Sequence, residues 1–176
     1  MGAAAEGAPC LRVVVSDTGP ILHLREAGAL DVLQFAGEII IPAAVDDDLL
    51  RLIDDWPVLR PAWLQRRSFD PAGPPSPVHH LVAGLGAGET NAILLAREID
   101  ADWLLTDDTE ARVIAGLAGI EVHGSLGVVL WAAAVGHFDR AKAAAALDHL
   151  ARSSLWISAG ILAEARAALG RIFDNP

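Results

Sequence analysis

Four short acidic signatures are spaced so that an α/β fold can bring them to one place. They are Asp17 in VVVSDTG, Asp48 in IIIPAAVDDDLL, Glu89 in GAGETNAILLA and the pair Asp107-Asp108 in DWLLTDD. Carboxylates gathered in this way repel one another unless a cation compensates them. An all-oxygen donor set selects a hard divalent cation, Mg²⁺ or Mn²⁺, over zinc. Such a site activates water for in-line attack on a phosphodiester and stabilises the charge that develops. Thr18 and Thr106 place hydroxyls beside two of the acids, where they can orient a carboxylate or the water.

Taken one at a time these residues have plainer roles. Asp after a strand is a common N-cap, Glu89 falls where a first-turn charge meets the helix macrodipole, and Asp46–Asp48 can be a solvated helix start. The ordered set is what argues for a site.

The elements that must position them follow from apolar patterning. Residues 11–16 (LRVVVS), EIIIP, DWLLT and IEVHG read as four strands, the first a β-branched run of the kind buried on both faces of a parallel sheet. Helices are expected after Asp17, at 30–35, from Pro42 as first residue through Val45, Leu49 and Ile53, from the GAGE glycines onward, and over DTEARVIAGLAG. Residues 54–78 hold six prolines and read as a loop, with one short strand or helix around 62–69. From Ser125 to Asp174 the chain reads as helical, broken by Gly136 and Gly160 into three pieces. Strand–helix alternation closed by helices predicts an α/β class fold, a three-layer α/β/α sandwich with a mainly parallel sheet. In such a sheet ligands gather beyond the carboxyl ends of the strands. Asp17 and Asp107-Asp108 lie there, Glu89 opens its helix, and Asp48, about two turns into its own, can turn toward the same edge.

Length and composition narrow the class. The 176 residues suit one domain, 11–176, behind a flexible leader at 1–10 whose Glu6 is unlike the basic start of a signal peptide. Hydrophobic residues make up 53% of the chain, yet no apolar run approaches the ~20 residues of a membrane span. A single cysteine, Cys10, excludes an internal disulfide and fits a reducing cytoplasm. The net charge of −10, with Lys142 the one lysine, counts against a binder that relies on a basic patch. It counts less against a nuclease whose acids a cation neutralises.

In this order the motifs resemble the PIN domain: strand–Asp-Thr-Gly, Ile-Pro-Ala-Ala-Val with acids, Gly-Ala-Gly-Glu, then Thr-Asp-Asp followed by Ala-Arg. More narrowly they are similar to prokaryotic relatives of VapC-like toxins, and HGSLGVVLWAAAVG extends the likeness. The resemblance implies a PIN-like fold and a Mg²⁺- or Mn²⁺-dependent ribonuclease. Asp17, Asp48, Glu89 and Asp108 would be its catalytic acids, with metal on Asp17, Glu89, Asp107 and Asp108. It further implies an RNA substrate, a small antitoxin protein as partner and a homodimer. In the second motif Asp48 stands where the family usually has Glu, one methylene longer.

Other readings rank lower. Asp-Thr-Gly matches an aspartic protease, but that needs a β frame and a second such Asp. A phosphoryl receiver needs a late Lys after a strand, which Lys142 is not. His79-His80 has no third ligand nearby in sequence, and GLGAGE lacks the Lys-Ser/Thr of a P-loop. The alternative of another class is a catalytically weak PIN scaffold that binds proteins, with Trp56, Trp63, Trp131 and Trp156 as exposed interface residues.

Overall fold

The computed structural model describes residues 12–68 and 77–174. The leader expected at 1–10 lies outside them, as do Pro71, Pro74 and Pro75. Five parallel strands form one sheet in the order β3-β2-β1-β4-β5: β1 Val13–Ser16, β2 Glu38–Pro42, β3 Leu64–Arg67, β4 Trp103–Leu105 and β5 Glu121–His123. Period-two alternation divides their side chains between two cores. Val14, Ile39, Ile41 and Leu105 enter one, while Val15, Ile40 and Leu104 enter the other. Helices cover both faces, which is why the strands read as unbroken apolar runs.

On the first face pack α1 (Thr18–Glu26), α2 (Ala43–Leu52) and, after the short α3 (Trp56–Leu59) and α4 (Pro77–Leu81), the terminal helices. On the other lie α5 (Ala87–Glu98) and α6 (Thr109–Leu117). The terminal helices are α7 (Ser125–Ala134), α8 (Arg140–Leu150) and α9 (Ala159–Asp174). This is the three-layer α/β/α architecture of a PIN-like fold. No helix among the described residues is long and apolar enough to cross a membrane.

Several local expectations change. The stretch at 62–69, expected as a short strand or helix, forms a fifth strand, β3; only Leu64 of its residues is buried, so it carries no apolar signature. Pro42 ends β2 and sits at the N-cap of α2 with extended backbone, rather than opening the helix. Residues 30–35 form a tighter 3₁₀ helix. Gly136, at φ +83°, does end a helical piece, but Gly160 lies inside α9, and the second break is the 151–158 connection. Trp56, expected to be exposed, is 1% exposed, because the Asp46 carboxylate accepts its indole N–H at 2.8 Å. Trp63 and Trp131 are half-buried, and only Trp156 of the four is open to solvent, at 84%.

The strand order places a topological switch between β1 and β4. The chain runs outward from β1 through β2 to β3, then returns to lay β4 on β1's other side. The crevice at the carboxyl ends of these two strands is where such sheets bind ligands.

Candidate active site

Asp17 leaves β1 at that crevice and caps α1. Its Oδ1 accepts from the Gly19 amide at 2.9 Å, and its Oδ2 accepts from the Thr106 hydroxyl at the end of β4. The two residues meet because Ser16 pairs with Leu105 across the strands and Asp17 N–H bonds the Leu105 carbonyl at 3.0 Å. Asp17 and Thr106 are both buried. Burial pushes the Asp17 carboxyl up to about 8; the Thr106 hydrogen bond opposes the shift, and the charges of Asp107 and Glu89 add to it.

Asp107 follows on the same strand end and is held from three sides. Its Oδ1 accepts from the Ser125 amide at 2.7 Å, and its Oδ2 meets the Ser125 hydroxyl at 2.6 Å and His23 Nδ1 at 2.8 Å. Burial pushes this carboxyl up, but the His23 and Ser125 hydrogen bonds outweigh it and hold Asp107 below the ordinary carboxylate range. The site thus pairs an acid that resists ionisation with one kept ionised. Gly124 makes this possible: a Cβ there would lie 2.9 Å from both Asp107 Oδ1 and Arg112 Nη1.

Asp108 points elsewhere. It is exposed and caps α6, accepting from the Ala111 amide at 2.7 Å, while its own amide bonds Thr106 Oγ1 at 3.2 Å. Of the adjacent pair, Asp107 is the one whose charge reaches Asp17.

The GAGE glycines clear room for the other two acids. A Cβ on Gly86 would collide with the Glu89 carboxylate. One on Gly88, buried in the first turn of α5, would lie 3.0 Å from Asp48 Oδ2 and 3.2 Å from Thr18 Oγ1. Thr18 donates to Asp48 at 3.3 Å, and Arg51 pairs with the other oxygen of Asp48. Asp48 is therefore the member of its run that reaches the crevice. Asp46 instead turns into the core beside Trp56, paired at 3.1 Å with Arg60 and with Arg66 of β3. Asp47 is exposed.

So the fold brings Asp17, Glu89 and Asp107 within electrostatic reach of one another, with Asp48 and Thr18 packed against the glycine before Glu89. His23 and Ser125 are members of the site that sequence reasoning passed over. His79 and His80 lie on α4, and among the described residues no grouping of metal-binding side chains includes them.

The donor set fits a hard divalent cation by its chemistry, since it is all carboxylate and contains a buried acid that burial and two neighbouring carboxylates keep from ionising. Among the described residues no three His, Cys, Asp or Glu side chains stand grouped closely enough to hold an ion as they are. Half-buried Glu89 and Asp48 would have to turn toward Asp17.

A family model described as PIN domain matches residues 13–171, nearly the whole described chain. The protein belongs to the PIN-domain family, whose members are usually nucleases. No curated protein and no solved structure gives a significant match.

Proposed function

We propose that the protein hydrolyses RNA phosphodiesters with Mg²⁺ or Mn²⁺ held on Asp17, Glu89 and Asp107, Asp48 assisting. The observation that carries this reading is Asp17 itself. A carboxyl buried at the switch point, facing two further acids, is unfavourable for folding alone and favourable once a cation arrives. When bound, the cation supplies an activated water and charge neutralisation at the scissile phosphate. The chain's own residues do the rest. Thr106 and the Gly19 amide fix both oxygens of Asp17, and His23 and Ser125 keep Asp107 ionised and immobile. Thr18 steadies Asp48, whose side chain is one methylene shorter than the family's usual Glu. Asp108 acts on this reading through the α6 cap rather than as a ligand.

Calorimetry of Mn²⁺ binding to the wild type and Asp17→Asn, with single-stranded RNA cleavage on the same samples, tests this. Binding and cleavage should both disappear in the variant, with melting temperature equal or higher. Wild-type cleavage by Asp17→Asn would remove the mechanism.

A second reading, a catalytically weak scaffold acting through a protein, draws on a different surface. Leu50, Leu52, Val58 and Leu59 are 46%, 58%, 83% and 48% exposed along α2 and α3. A second copy or a small antitoxin protein in the cytoplasm would cover such a face. Light scattering that finds a strict monomer would count against the homodimer.

A further inference from the structure

A cavity of about 560 Å³ opens beside the acids, between the start of α7 and the face of α9. It shares Asp107 and Gly124 with the crevice, so whatever enters it continues from the site. Leu126 and Leu130 of α7 form an apolar floor, and Trp156, 84% exposed on the 151–158 connection, stands at its edge. An indole so open in a chain with a well-filled core has no packing reason for its position.

Two arginines line the same cavity, against Glu164 and the site's own Asp107. Arg112 donates to the Thr106 carbonyl at 3.2 Å, which fixes it beside the acids. The other arginines of α8 and α9 are paired, Arg140 with Asp174 and Arg166 with Asp148. Arg171 has no carboxylate within ion-pair distance among the described residues. In a chain of net charge −10, a cavity whose two acids are matched by two arginines is a local exception, and Arg171, without an ion-pair partner among the described residues, is left for an anion.

We infer that this cavity is a nucleotide subsite: an unstacked base of single-stranded RNA lies on Trp156, and its phosphate lies toward Arg171 and Arg112. Rested on the ribonuclease reading above, it holds the nucleotide next to the scissile bond. Aromatic faces and arginines are how proteins hold single strands without reading sequence. A paired duplex keeps its bases stacked and cannot use the indole, so the subsite selects single-stranded RNA.

The test is fluorescence anisotropy of a short, labelled, mixed-sequence single-stranded RNA in EDTA, with Mn²⁺-dependent cleavage of the same RNA measured separately. Trp156→Ala should weaken binding about tenfold and Trp156→Phe should restore most of it. Arg171→Gln should flatten the dependence of log affinity on log salt by roughly 0.7. Melting temperatures of these surface variants should match the wild type. Unchanged affinity in Trp156→Ala overturns the subsite. If light scattering then shows self-association in the wild type and none in that variant, the cavity belongs to a second copy, and the proposal is equally overturned. Cleavage with Trp156-independent binding overturns the subsite alone. Trp156-dependent binding without cleavage overturns the ribonuclease reading and leaves the subsite standing.

Discussion

The Thr106 hydroxyl donates to Asp17 Oδ2 across the β1–β4 boundary, joining residues 89 positions apart in a buried contact. This bond opposes the burial that otherwise drives Asp17 toward its protonated form. Thr106→Val keeps the shape and removes the donor. Stability should fall by about 1 kcal/mol, the usual net worth of one such bond. Mn²⁺ affinity should fall roughly tenfold, since ionising Asp17 becomes harder. Calorimetry beside thermal denaturation separates the two, and an unchanged affinity would show that Thr106 does not tune Asp17.

Asp17 also sets a pH dependence. The unfolded chain releases this proton near 3.8, whereas the folded chain keeps it to about 8. The folded state therefore binds more protons in between, and cation-free stability falls as pH rises through that window, by up to about 1.4 kcal/mol per unit. Asp107 runs the other way: its carboxyl is depressed when folded, so its contribution is present above 3.8 and lost as pH falls below it. Urea titrations across pH should show a loss toward alkaline pH in the wild type that is missing from Asp17→Asn. Parallel curves for the two proteins would rule out a buried, proton-holding Asp17.

The acidic run on α2 should divide cleanly by position. Asp46→Asn keeps an oxygen for the Trp56 indole but turns an uncharged NH2 donor toward Arg60 and Arg66, costing about 2–3 kcal/mol. It should not change Mn²⁺ affinity. Asp48→Asn should do the reverse, weakening Mn²⁺ with little change in melting temperature. Swapped outcomes would mean that Asp46 is the residue turned to the crevice.

Gly88→Ala tests the clearance at the start of α5. In a helix alanine is ordinarily the better residue by up to about 1 kcal/mol. Here its Cβ would lie 3.0 Å from Asp48 and 3.2 Å from Thr18. Mn²⁺ binding should weaken while melting temperature moves little, because the gain in helix propensity offsets the displacement. Binding equal to wild type would show that Asp48 and Thr18 can move aside without cost.

Much of this architecture was legible because its signals are local. Val14 and Val15 read as part of a strand buried on both faces because each enters a different core. The GAGE glycines marked a helix entry, although their steric purpose, clearance for Glu89 and Asp48, needed coordinates. At 62–69 strand and helix read equally well, because an edge strand reading LQRR buries a single leucine and shows no alternation. Trp56 looked exposed beside Asp54 and Asp55, since nothing in its neighbourhood announces that Asp46, ten residues earlier, waits for its N–H. The fastening of Asp107 was least visible. Its partners His23 and Ser125 lie 84 and 18 residues away, and unremarkable residue types at such separations leave no pattern to read.

The strand order has a consequence for how this protein is made. Synthesis delivers Asp17 first, then β2 and β3 on one side, and only afterwards β4, which carries Thr106 and Asp107 to it. Ser125, which locks Asp107, comes later still. A chain emerging from the ribosome cannot hold Asp107 in its final place until the first turn of α7 is clear of the exit tunnel. The order of the strands thus makes the fastening of the cluster one of the last steps, after every strand of the sheet has been made.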